Sequence, residues 1–246
     1  MSKRTSLSLK TFVSITFLLL VGTVILAACG SSSGTATASS SSSTSSSSTT
    51  TQPSGPRGGG GSNARSGPAS GGATGTVSNG STSGFTLTTA TGQKVTVDES
   101  SSTTYQNGTI SISASAITNG ESVLVLGTVN TTNGTTIAAT QVIVQPAGSG
   151  GASASSAAGV VPFKPGAPST SKQIGQIPAN YSQGSGTIVS GTTANKATEA
   201  ALAAYPGGVV DRVVQLSNGE YEVHNIGVNW PHHVFVNQNF KVVGAN

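Results

Sequence analysis

Three histidines, seven carboxylates and one cysteine are this 246-residue chain's whole stock for binding a metal, moving a proton or supplying a thiol. His232 and His233 are adjacent, directly behind Trp230-Pro231, and His224 lies just upstream. Imidazole is the commonest transition-metal ligand and the side chain that titrates nearest neutral pH, so these three are the candidate metal or pH-sensing residues. A strand, however, sends adjacent side chains to opposite faces, so His232 and His233 reach one ion only if Pro231 breaks the strand. No carboxylate adjoins them to complete a zinc site, and the expectation is of ordinary surface histidines with no metal and no cofactor. The carboxylates offer no better start. Asp98 and Glu99 are neighbours at a strand end, where their side chains diverge. Glu220 and Glu222 share a strand face beside a turn and read as solvated edge charges. Gly30 to Gly34 fit G-x-S-x-G, and Ser169 to Lys172 fit S-x-x-K. Both stretches are Gly/Ser-rich and lack the strand, helix and companion motifs those nucleophiles need. No nucleophile–base set is legible, and the chain is expected not to be an enzyme.

The cysteine, Cys29, has a different context. Lys3, Arg4 and Lys10 form a basic start, followed by an uncharged run from Thr11 to Ala28 rich in Phe, Leu, Val and Ile. As a helix this run would be about 27 Å long, close to a hydrocarbon core. A plain anchor would need nothing more, whereas small residues followed by cysteine suit a cleavage site. Leu26-Ala27-Ala28-Cys29-Gly30 resembles the lipobox of bacterial lipoproteins. The resemblance implies cleavage between Ala28 and Cys29, a diacylglyceryl group on the Cys29 thiol and acylation of the new N-terminus. Residues 30–246 then face outward, and the address is the extracytoplasmic face of the membrane.

Processing changes the charge balance. Removing Lys3, Arg4 and Lys10 leaves eight basic residues against seven acidic ones. They are scattered, so the footprint needed for phosphate backbones is missing and nucleic-acid binding is excluded. With one cysteine there is no intramolecular disulfide, and the fold must stand on apolar packing.

From Gly30 to Thr51 every residue is Gly, Ser, Thr or Ala. The bias runs on to about Ala73 and describes a disordered tether with a reach of about 35 Å. Period-2 patterns then begin: Phe85 and Leu87 alternate with Thr, as do Val95 and Val97. Ser122 to Val129 is almost continuously apolar, which predicts burial on both faces, with a bulge or bend at Gly127. Six short strands within 74–146 argue for a small closed or nearly closed β-barrel. Gly75-Thr76-Val77, Phe85-x-Leu87, Gly92-x-x-Val95-x-Val97 and Asn119-Gly120-Glu121-Ser122-Val123-x-Val125-x-Gly127 resemble an OB-like family of unknown function. Residues 147–186, rich in Gly, Ala, Ser and Pro, read as a second linker whose apolar cluster is Val160 to Phe163.

The last segment, 187–246, changes texture. Thr192 or Thr193 can cap a helix over Ala194–Tyr205, with Ala197, Ala201, Ala204 and Tyr205 on one face. Pro206-Gly207-Gly208 stops it, Val209–Leu216 and Tyr221–Ile226 form a hairpin, and His233–Val236 and Phe240–Val243 add strands. Tyr205, Tyr221 and Trp230 are expected in the core. Ala197-x-x-Ala200-Ala201-x-x-Ala204-Tyr205-Pro206-Gly207-Gly208, Gly219-x-Tyr221-Glu222-Val223 and Val234-x-Val236 resemble the PepSY domain family. The usual acidic residue and turn glycine of that family's ending are replaced by Asn237 and Asn239. The resemblance implies an α+β fold and an association with restraining peptidases.

The expected whole is mainly β: a signal peptide (1–28), a tether (29–73), an OB-like barrel (74–146), a linker (147–186) and a PepSY-like α+β module (187–246). Its expected role is non-catalytic binding, with the membrane held through lipid on Cys29 and an extracellular protein, peptidase or peptide as partner. Strand addition at an exposed edge of the C-terminal sheet is the expected mode. The alternative is an envelope spacer without a specific ligand.

Overall fold

The computed structural model describes residues 68–132, 135–168 and 170–246, all within the compact unit Gly55–Asn246. The signal segment, Cys29 and most of the expected tether lie outside the described residues. The barrel half runs β1 (Ala69–Ser81), β2 (Gly84–Thr89), β3 (Lys94–Asp98), β4 (Thr104–Asn107), β5 (Ile110–Ser111), a 3-10 turn (Ala114–Ala116), β6 (Ser122–Asn130) and β7 (Thr136–Val144). There follow α1 (Ala152–Ala157), β8 (Val161–Pro162), β9 (Ile174–Gly175) and β10 (Thr187–Ile188). The chain ends with α2 (Gly191–Ala204), β11 (Val209–Gln215), β12 (Tyr221–Ile226), β13 (Val228–Trp230), β14 (His233–Val236) and β15 (Val242–Ala245). The protein is mainly β and contains a five-stranded barrel.

The barrel closes in the order β1-β2-β3-β7-β6 and back to β1, with β3 and β7 parallel and the other contacts antiparallel. Alternation supplies its core. Val77, Phe85, Leu87, Val95, Val97, Val123, Val125, Val129, Ile137 and Val142 point inward and are buried. The predicted irregularity at Gly127 is present as a register shift between Leu126 and Gly127 in the β6–β7 pairing. A Cβ there would stand 2.1 Å from the Ala138 carbonyl oxygen, so only glycine lets the two backbones close.

Order begins earlier than the composition suggests. β1 starts at Ala69, inside the expected tether, because small residues are what its crowded seam requires. A Cβ on Gly71 would meet the Val210 oxygen at 2.0 Å, and one on Gly72 the Val125 oxygen at 2.2 Å. Glycine enrichment there marks close approach between strands, not slack chain.

β1 also joins the two halves. Gly72 pairs with Val210 of β11, and the sheet continues β11-β12-β14-β15-β9, with β10 on the other side of β11. The predicted double burial of β6 is met across this junction. Val123, Val125 and Val129 face the barrel, while Leu124 and Leu126 join a second core under α2. That core also holds Ala194, Ala197, Ala201, Leu202, Val210, Val213, Tyr221, Val223, Val234 and Val236. The helix starts at Gly191 with Ser190 as its N-cap, so Thr192 and Thr193 lie inside its first turn, and it buries Ala194, Ala197, Thr198, Ala201 and Leu202. Small side chains let it lie close to the sheet.

The described residues of 147–186, expected as a disordered linker, include α1, β8 and β9 and pack against the rest of the fold. Gly150 lies against Thr74 and Gly75 of β1, and the later part of the segment packs on the C-terminal strands. Val161 pairs with Trp230 through β8–β13, Trp230 Nε1 donates to the Lys172 carbonyl at 2.8 Å, and Tyr181 stacks edge-on against Phe235 at 4.8 Å. Composition hid this because the segment contributes few apolar side chains of its own and is held mainly by backbone pairing and isolated anchors. Among the described residues no helix is long and apolar enough to cross a membrane.

Candidate functional site

β12 is buried along both faces. Tyr221 and Val223 turn toward α2, so the period of two sends Glu222 and His224 the other way. Antiparallel registry then sets His224 opposite His233 and Glu222 opposite Phe235. Arg212, from β11, is paired with His224. This face is therefore ionisable where the opposite one is apolar.

Glu222 is fully buried, which corrects its reading as a solvated edge charge: residues 172–186 roof over the strand that sequence alone left open. Glu220, by contrast, stays at the turn and pairs with Asn218 at 2.8 Å. Glu222 Oε1 accepts from His233 Nδ1 at 2.6 Å and from the Tyr181 hydroxyl at 3.2 Å, and that hydroxyl lies 3.0 Å from the same ring nitrogen. Burial alone raises the Glu222 pKa, but the His233 hydrogen bond and the charges of His233, Arg212 and His224 outweigh it and hold the carboxyl below its ordinary value. The Tyr181 hydroxyl is pushed well up, by burial first and by the Glu222 charge second. A second acid–imidazole pair stands beside the first. His224 Nδ1 lies 2.5 Å from Asp211 Oδ1, and Asp211 Oδ2 is 3.5 Å from Arg212 Nη1. An ionised carboxylate only accepts, so in each pair the imidazole N–H at Nδ1 is the donor and Nε2 is turned away from the carboxylate.

The expected surface histidines are corrected as well. His224 and His233 are buried and His232 is half-buried. β13 ends at Trp230 and β14 begins at His233, so Pro231 and His232 lie between strands and the alternation that would separate the two histidines does not apply. One ring nitrogen from each of His224, His232 and His233 lies within 4.8 Å of the others. Burial, followed by the neighbouring His224 and His233, pushes His232 down to about 4, so its ring is neutral at physiological pH. The carboxylates missing beside the histidines in sequence come from Asp211 and Glu222, on strands whose pairing brings them there.

A cleft of about 690 Å³ reaches this cluster. His232, His233 and Val228 form one wall, and Phe163, Lys164 and Thr170 form the other. A second cleft, of about 980 Å³, lies at one end of the barrel beside Phe85, Glu99, Tyr105 and Ile117. There burial raises Glu99 against the opposing effect of Tyr105, and burial with the Glu99 charge pushes Tyr105 up to about 12.

The sheet edge also differs from expectation. β15 is not open: Ile174 and Gly175 of β9 pair with Ala245 and Gly244, and Gln176 donates to the Val243 carbonyl. The position where an added strand was expected holds a two-residue strand of the same chain. Trp230 and Tyr221 are buried as expected, and Tyr205 packs edge-on against Trp230 at 5.3 Å. Ala28 and Cys29 lie outside the described residues. No family model matches the chain, and neither a curated protein nor a solved structure shows significant similarity to it.

Proposed function

We propose that this protein is an extracytoplasmic lipoprotein, anchored through lipid on Cys29, that works by binding and not by turnover, and that its ligand seat is the cleft over the histidine cluster. The observation that carries the reading is the polar face itself. Arg212, Glu222, His224 and His233 are buried on a sheet whose other face is filled with valine, alanine and leucine. Buried ion pairs seldom outperform apolar packing of the same shape, so folding alone gives little reason to keep them. A cleft that reaches the cluster at His232 and His233 gives one.

The test removes the polar set together. In Tyr181→Phe/Glu222→Leu/His233→Phe, a melting temperature equal to or above that of the wild type supports a binding role. A loss of several kcal/mol, on the order of 3–5 as when a buried pair is broken, would make these residues structural and sink the reading. Intact mass of the mature protein beside Cys29→Ser tests the address independently; an unmodified chain retaining Met1 would overturn it.

A peptide, or a segment of a peptidase, is a second partner favoured by β9. A two-residue extended segment already adds to β15, so this edge accepts strand addition once β9 leaves. The finer fold readings are proposed on the same footing. The ring order β1-β2-β3-β7-β6 with one parallel contact supports the OB-like resemblance, and α2, Pro206-Gly207-Gly208 and the strands after them support the PepSY-like one. Nucleic acid is not a proposed partner.

A further inference from the structure

We propose that His224, His232 and His233 bind a divalent transition cation of the zinc type, entering from the cleft between residues 163–171 and β13. The inference rests on the cleft being a ligand seat and names what sits there.

Three observations converge. The first is spacing. Three imidazoles on one tetrahedral ion, each nitrogen at about 2.0–2.1 Å, place their ring centres about 5 Å apart. The ring centres of His224 and His232, His232 and His233, and His224 and His233 are separated by 4.4, 5.0 and 5.3 Å. The rings are inclined at 73°, 86° and 56°, an arrangement open to three imidazoles around one ion and not to a parallel stack. The candidate nitrogens are within 4.8 Å of one another, and half-buried His232 on the cleft wall is the ring that turns to close the set.

The second is the outer partners. Metal-bound histidines give their remaining N–H to a carboxylate or carbonyl, which fixes the tautomer and raises ligand basicity. Asp211 does this for His224 and Glu222 for His233, leaving Nε2 of both rings as the donor atom.

The third is an unmet acceptor. Glu222 Oε2 is buried and accepts no hydrogen bond from a described residue. Such an oxygen normally has a partner. Three protein ligands leave a tetrahedral ion one position for water, which would supply a donor in this pocket. An all-imidazole set with carboxylates in the outer ring suits zinc, copper and nickel, whereas magnesium and calcium require oxygen ligands.

The experiment uses the full chain in detergent, stripped of metal by a chelator, and titrates it with Co²⁺ and Zn²⁺. The expected result is one equivalent bound, with the visible absorption of tetrahedral Co²⁺ displaced by Zn²⁺. His232→Ala should weaken binding about tenfold or more, and Asp211→Asn by about 10–100-fold. His232 is the safe probe because it is only half-buried, and the melting of each metal-free variant checks its fold. No saturable uptake by the wild type, or equal affinity in wild type and both variants, overturns the inference. If uptake fails while the apolar triple variant stays stable, the cation is wrong and the binding reading stands. If the cation binds and the triple variant unfolds, the cation site stands and the polar face is structural.

Discussion

The barrel and the C-terminal sheet solve the same burial problem with different materials. The barrel core is built from apolar side chains, from Val77 through Leu87 and Ile137 to Val142, with the uncharged threonines Thr74, Thr89 and Thr103 buried beside them. The sheet gives one face to α2 in the same manner and assigns the other to Arg212, Glu222, His224 and His233. A region that needs only to fold is served by valine and leucine, whereas buried charges must each be matched by a partner. On the binding role proposed above, the barrel is the scaffold and the polar face is the seat of specificity.

Substitutions that trade on this difference rank by size. The largest effect is expected in the barrel. Leu87→Ala should cost about 2–5 kcal/mol in chemical denaturation, because the fully enclosed side chain leaves a cavity. A cost below that of an exposed residue would mean that the barrel is not the stabilising half. Glu222→Gln comes next, at about 1–3 kcal/mol near neutral pH, since Gln keeps the shape but loses the charge-assisted bond to His233. The pH dependence sharpens the point. The folded-state value of Glu222 lies below its unfolded one, so its contribution is present above about pH 4.5 and disappears as pH falls through the depressed value. The stability gap between Glu222→Gln and wild type should narrow over that acid range; a constant gap would mean the ion pair is not what the substitution removes.

A smaller, local effect is expected at the edge. Gly175 has φ +73° and no room for a Cβ, which would stand 2.1 Å from the Val243 oxygen. Gly175→Val should free β9, raising proteolysis between residues 163 and 176 while the melting temperature shifts little. Unchanged cleavage would show that β9 is not what closes the edge. Glu99→Gln, at the barrel cleft, should act least and with the opposite sign to Glu222→Gln. Burial raises Glu99, so its charge opposes folding above the raised value and the penalty vanishes once the group is protonated in both states, below about pH 4.5. A variant less stable than wild type at neutral pH would contradict this.

The barrel and the α2–β11–β12 sequence were legible because their signals are local: a period of two with turns between strands, and a stripe of alanines ended by Pro206-Gly207-Gly208. The site was not, because its members are distant in sequence and unremarkable alone. Glu222 resembled a surface charge until Tyr181 was brought over it, and Asp211 had no visible relation to His224 before the β11–β12 pairing placed them together. The sign of the site is structural: every residue from Tyr221 to Asn225 is buried, which a strand covered on one face alone cannot be. The alternation of β12 gave no warning of a second covering layer, since its polar residues suit solvent equally well.

By itself the sequence determined the periods: which residues alternate along each strand, where glycine must bend or admit a neighbouring backbone, and which alanines lie against a sheet. These follow from local geometry and steric size. Tertiary structure alone decided that Tyr181 lies against the polar face, that Ile174 and Gly175 occupy the β15 edge, and that three histidines and two carboxylates are brought together. Strand order and a covering segment depend on contacts between residues far apart in the chain, and no local pattern encodes them.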